Sequence, residues 1–320
     1  DRDDAIRYWI ERLEEAIEFG SPVHAGRGLW FIHQLHEELS EHDAALDALT
    51  RIIGDPEQSI HLVLSAKSRS IAVSVSAGRS VEETLGRVAE YEQGVAELRR
   101  LGEVYSEHHD EAVERLWMTR ASILSAAADR LVSEGMSGRQ NRIDAADLYR
   151  NAAMIREEHL ATVPIETVEI ELHANQWWMS AMLRDRALQL REEAGDGDRK
   201  RRDRSELIDL LLMLVEDFSA TNAAQNASAR IPDLLIADGR PWPEIIATAR
   251  TVSAGLAPGH AFLNQVRRLG SRLTAEGRLE LANELFDLVM QRAEEWYGDE
   301  SRVQTNFRWA LLQGAVNASR

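Results

Sequence analysis

Cysteine is absent from this 320-residue chain. Disulfides, thiolate nucleophiles and cysteine-ligated metal sites are therefore excluded, and the composition fits a reducing compartment. A cytoplasmic location is the expectation. Proline is scarce at 7 residues, while apolar residues make up 44% and charged residues 28%. That balance predicts an ordered, water-soluble chain rather than a disordered one. No stretch approaches the roughly 20 apolar residues of a membrane span. The longest candidate, LIDLLLMLV at Leu207 to Val215, is short and flanked by acids, so no membrane partner is expected. Lysine is nearly missing: Lys67 and Lys200 are the only two, which suggests a GC-rich, bacterial coding bias. The chain starts at Asp1 without methionine, and a fragment of a longer protein is expected.

Enzyme signatures are also missing. Lys67–Ser68 has no glycines ahead of it, so there is no phosphate-binding loop. There is no G-x-S-x-G elbow, the glycines of GMSG have the wrong spacing, and no Glu-x-x-His pair marks a di-iron bundle. Catalysis, a required cofactor and a required metal are not expected. The 37 basic residues face 54 acidic ones, a net charge of −17, and a chain this acidic repels nucleic-acid phosphates.

What is there is helix after helix. Ile6, Trp9, Ile10, Leu13 and Ile17 recur at helical steps before GSP stops them. LWFIHQLHEEL and DAALDALTRII follow, closed by Gly54, Asp55 and Pro56. In the next segment AVSVS alternates like a strand, but its flanks favour a helix. SVEE at Ser80 to Glu83 is a capping box opening a helix to about Leu101. Further helices are expected over about 107–133, 144–159, 165–193, 205–218, 221–230, 243–254, 260–275, 279–296 and 302–317. The charged stretch GDGDRKRRDR, 195–204, reads as a solvated loop joining possible lobes 1–194 and 205–320 of one helical-repeat domain. Short connections predict antiparallel neighbours.

One stretch carries more than periodicity. In RRLGSRLTAEGRLELANELFDLV, Arg267 to Val289, Val266, Leu269 and Leu273 share one face with Gly270, Gly277 ends the helix, and Ala282, Phe286 and Val289 form a stripe on the next. Small residues let two helix backbones approach, and Phe286 fills what remains. This pattern resembles the tetratricopeptide repeat, a helix-turn-helix unit of about 34 residues. The tyrosine–glycine ending and the acidic loop after it resemble the longer repeats of kinesin-light-chain type. Ala45 with Leu49, and Ala145, Tyr149 and Ala152, match more weakly; the segments near Val81 and Asn222 fit poorly. The resemblance implies an all-α, α–α superhelix of stacked hairpins. The plainer alternative is a non-repeating helical bundle.

In such arrays the first helix of each pair lines a groove that holds a peptide. The corresponding stripe here carries Asn264, Arg267, Arg268 and Ser271, and Arg308 on the following helix extends it. Asparagine can both donate to and accept from a peptide backbone, and arginine can grip a carboxylate. Asn175, Asn222 and Asn226 are weaker candidates. His33, His36 and His42 have some metal-ligand character, but the bland reading is a polar helix end. EHHDE at Glu107 reads as a surface helix start. Trp177 and Trp178, adjacent on a helix, read as packing residues. Two functions fit: a protein- or peptide-binding scaffold without catalysis, or the sensor module of a larger bacterial regulator or signalling ATPase.

Overall fold

A computed structural model describes residues 2–101, 106–133, 138–164 and 169–298. Among them there are fourteen helices and no strand, and within each unit most helices pack on the next, as in a helical-repeat superhelix. No described helix is long and apolar enough to cross a membrane. The chain forms two compact units, Asp1–Gly135 and Met136–Arg320.

The first unit holds α1 (Arg2–Phe19), α2 (Pro22–Glu38), α3 (His42–Gly54), α4 (Ile60–Ser76), α5 (Val81–Leu101), α6 (Ser106–Glu114) and α7 (Leu116–Ser133). Each of the first five packs on the next, and α5 also packs on α6 and α7. Local chemistry sets the starts. The Ser59 hydroxyl accepts from the Leu62 amide at 3.3 Å, and Ser80 accepts from Glu83 at 3.1 Å, each satisfying one orphan donor of a first turn. AVSVS lies inside α4, with Val73 and Ser74 buried; the helical flanks prevail over the alternation. The helix expected over 107–133 is broken at Arg115. There Arg115 N–H bonds to Ala112 O at 3.2 Å and Met118 N–H to Arg115 O at 3.0 Å, tighter turns that start α7 on a new course. The interior has two separate apolar clusters, one around Leu29, Ile32, Leu49 and Ile52, the other around Leu64, Val88, Leu98 and Ile123.

The second unit holds α8 (Arg139–Leu160), α9 (Ile170–Ala194), α10 (Gly197–Asp217), α11 (Asn222–Ala237), α12 (Trp242–Ala254), α13 (His260–Ala275) and α14 (Leu279–Tyr297). Its helices form two rows: α11 touches both α9 and α13, while α12 touches both α10 and α14. One continuous apolar core runs from Ala174 to Ala293. The helix expected at 302–317 lies outside the described residues.

The segment 195–204 is not a loop. Gly195, at φ 68°, ends α9 in the left-handed region, and α10 begins two residues later. Several of the charges that suggested solvation are paired, and Asp203 and Arg204 are buried. Arg191, 1% exposed, bonds to Asp196 at 2.9 Å, to Asp147 at 2.6 Å and to Asp203. Buried Arg204 pairs with Glu192 at 2.6 Å. Those pairs hold α10 to α8 and α9, and the division between units falls at Gly135 instead. Two other boundaries move. α8 starts at Arg139 rather than 144, and α11 runs seven residues past Arg230 to Ala237, through buried Pro232. A proline inside a helix costs about 3 kcal/mol, and here burial against four neighbouring helices offsets it.

The α13–α14 hairpin shows why the small residues sit where they do. A Cβ at Gly270 would lie 2.6 Å from Cε1 of Phe286, a distance no carbon pair tolerates. Ala282 and Phe286 are both fully buried. Burying a phenylalanine contributes about 1.5–3 kcal/mol, and it can happen here only because residue 270 has no side chain. Gly277, at φ 75°, makes the turn between the helices. Ala45, Leu49, Ala145, Tyr149 and Ala152 are likewise buried.

Candidate functional site

α11 is packed against α9, α10, α12 and α13, so only one side of it is open. Asn222 and Asn226 are exposed there, while Arg230 and Asp233 are half-buried. Arg230 donates to Asp185 of α9 at 2.8 Å, tying the row together. On the adjacent α13, Asn264, Arg267 and Ser271 are half-buried and Arg268 is exposed. Four of the five groove residues read from the sequence thus share one helix at its surface. Arg308 lies outside the described residues. Ser271 donates its hydroxyl to the carbonyl of Arg267 at 2.9 Å, so its proton serves the helix itself. The asparagines and Arg268 offer what peptide recognition uses: amides that donate and accept, and a guanidinium. Asn175 is exposed on α9.

The histidines sort differently from their sequence reading. His33 is 1% exposed, edge-on to Trp30 at 4.5 Å between ring centroids, and its Nε2 lies 3.5 Å from Glu37 Oε2. Burial holds its pKa below the ordinary histidine value, against the pull of Glu37. It is a core residue rather than a polar helix end. His36 instead bonds to Glu41 at 2.8 Å. Among the described residues no group of three or more histidines and acids is placed to hold a metal ion. His109, expected on the surface, is buried, and its Nδ1 shares a 3.0 Å hydrogen bond with the Tyr91 hydroxyl. Trp177 and Trp178 both pack against the core, and Trp177 Nε1 donates to His173 at 3.2 Å.

Sequence reading missed a trough in the first unit. Two cavities, of about 340 and 670 Å³, meet over α4 and share Ser68, Ala72, Tyr91 and Ala112. One reaches Trp30 on α2; the other reaches Met118 and Ser122 on α7. The only sequence signal was the run of small residues on α4, which is uninformative until its neighbours are known.

Together, fold and surface define, among the described residues, an all-α protein of helices packed on their neighbours, with exposed polar helix faces. No family model matches the chain, and no curated protein matches it. Among solved structures, one from "Computational Design of Self-Assembling Cyclic Protein Homooligomers" is 14% identical, over 94% of this chain and 95% of that one, with a TM-score of 0.18. A likeness at that level carries no argument about fold or function.

Proposed function

We propose that this chain is a non-catalytic scaffold that binds a protein or peptide segment, built from degenerate units resembling tetratricopeptide repeats and working in the cytoplasm. The observation that carries this reading is the open side of the α11–α13 row. Asn222 and Asn226 of α11 and Arg268 of α13 are exposed and Asn264 is half-buried, on two helices that pack on one another. A rigid row of amides and guanidinium groups is pre-organised to bind an extended chain, and pre-organisation lowers the entropic cost of binding. The net charge of −17 turns the protein away from nucleic acid, while the arginines of α13 favour an acidic or C-terminal segment.

The test is selection of a phage-displayed random peptide library on the whole chain, followed by titration of the synthesised winners. The double variant Asn264→Ala with Arg267→Glu should weaken peptides of this site by roughly 2–4 kcal/mol if both contacts are buried and charge-assisted. Circular dichroism should be unchanged. If a folded double variant binds every selected peptide as before, the α13 site is wrong.

A further inference from the structure

We propose that the first unit carries a second, independent recognition site: the trough over α4 takes a short peptide segment with apolar side chains and a carboxylate at one end. The inference rests on cavities and charges in residues 30–123, not on the α13 row.

Shape comes first. The two cavities share four lining residues and form one elongated depression. The larger, at about 670 Å³, is within the range of real ligand sites. Its floor follows α4 from Ser65 to Val75, about 15 Å at 1.5 Å per residue. That length accommodates about four or five extended residues. Ser68 and Ala72 are exposed on the floor, and their small side chains make the depression. Ile71, Val75, Leu116 and Ile123 make its side towards α7 apolar, and Met118 stands 38% exposed on that side. Methionine adapts its shape to an incoming side chain.

Hydrogen-bonding capacity decides between an acyl chain and a peptide. Elsewhere in these helices, Ser70, Thr84 and Ser125 donate back to their own helix, at 2.8–2.9 Å. Ser65, Ser68, Thr119 and Ser122 line the trough and make no such bond among the described residues. A hydrocarbon chain would cover those hydroxyls without answering them, which costs free energy. A peptide backbone supplies amides and carbonyls at short intervals and answers them.

Charge sets the polarity of the occupant. In a chain of net charge −17, the described residues that line the two cavities include Arg69 and Arg115 and no carboxylate. Glu37 already neutralises Arg69, at 2.9–3.0 Å. Arg115 is exposed at the α6–α7 break and has no ion pair among the described residues. An incoming carboxylate therefore meets Arg115, next to the apolar end of the trough. A C-terminal carboxylate and an Asp or Glu side chain offer the same chemistry.

The experiment uses the whole chain and a phage library displaying random octapeptides with a free C-terminus. Winners are synthesised with C-terminal acid and amide, and with any Asp or Glu changed to Asn or Gln, then titrated by fluorescence anisotropy. Ala72→Trp and, separately, Ser68→Phe fill the trough from exposed positions. Each should remove binding of one class of apolar-rich peptides. Arg115→Glu should weaken that class at least tenfold, and so should loss of the peptide carboxylate. The Asn264→Ala, Arg267→Glu variant should leave this class within twofold, which separates failure here from failure of the α13 site. The proposal is overturned if no selected peptide responds to either trough-filling change while both variants stay folded. It is equally overturned if dodecanoate binds the trough and no peptide does, or if sedimentation shows the trough buried in self-association that Ala72→Trp abolishes.

Discussion

In the second unit Gly270 and Ala282 lie where two helices meet; in the first, Ser68 and Ala72 lie on a side of α4 that is exposed among the described residues. The same property, small volume, does opposite work. At Gly270 it lets Phe286 into the core. Along α4 it leaves a depression between two apolar clusters that do not merge. The second unit has one continuous core and buried ion pairs; the first has a divided core and an open trough. A small residue acquires its role from what packs opposite it, and identity alone does not say which role it has.

The comparison breaks most sharply at Arg191. Removing a buried partner from its three carboxylates leaves Asp203, itself buried, with Arg150 at 3.4 Å as its remaining ion-pair partner among the described residues. Arg191→Ala should cost about 3–5 kcal/mol. Hydrogen exchange read by mass spectrometry should accelerate within 139–298, with little change within 2–101. Uniform acceleration across both regions would show that the two units do not unfold separately.

Acid should act next most strongly, and on the same unit. Burial pushes the Glu206 carboxyl up, but hydrogen bonds from Arg150, Arg202 and Arg184 more than reverse this, leaving its pKa lowered from 4.5 to about 2. Because the folded value lies below the unfolded one, the stabilisation is present in full above pH 4.5 and is lost as pH falls towards 2. The total is on the order of 3 kcal/mol. Glu206→Gln should flatten the acid limb of a melting-temperature profile. An unchanged limb would mean that other carboxylates govern it.

Gly270→Leu comes third, at about 1–3 kcal/mol from overpacking against Phe286. Gly270→Leu with Phe286→Ala should recover part of the loss, since the second change removes the colliding ring. A double variant that melts below both single variants would refute the close approach. The smallest effect is expected for Ala72→Trp, within about 0.5 kcal/mol of the parent, as for other exposed substitutions. A large drop in melting temperature would show that the α4 face is packed rather than open.

Much of this was legible in the chain. Strong 3.6-residue periodicity gave His260–Ala275 to the residue, and Gly277 marked a real boundary. The reading failed where local and tertiary terms conflict. Arg199 and Arg204 looked solvated because their partners, Asp147 and Glu192, lie on other helices. The helix expected to end at 230 runs on to Ala237 through Pro232, which neighbouring helices bury. Arg115 gave no sign of a break. For the α13 row, the sequence placed Asn264 and Arg268 at the surface, but the trough over α4 needed Trp30 and Met118, far away in sequence, to become visible.

By itself the sequence determined that this protein is helical, where most helices start and stop, and that Gly270 and Phe286 must meet. Those features follow from backbone periodicity, caps and volumes within a few turns of one another. Tertiary structure alone decided which charges are buried, that the chain divides near Gly135, and that small residues on α4 face a cavity rather than a neighbour. Burial and emptiness depend on what lies across space, and contacts between distant segments leave no local pattern in the chain.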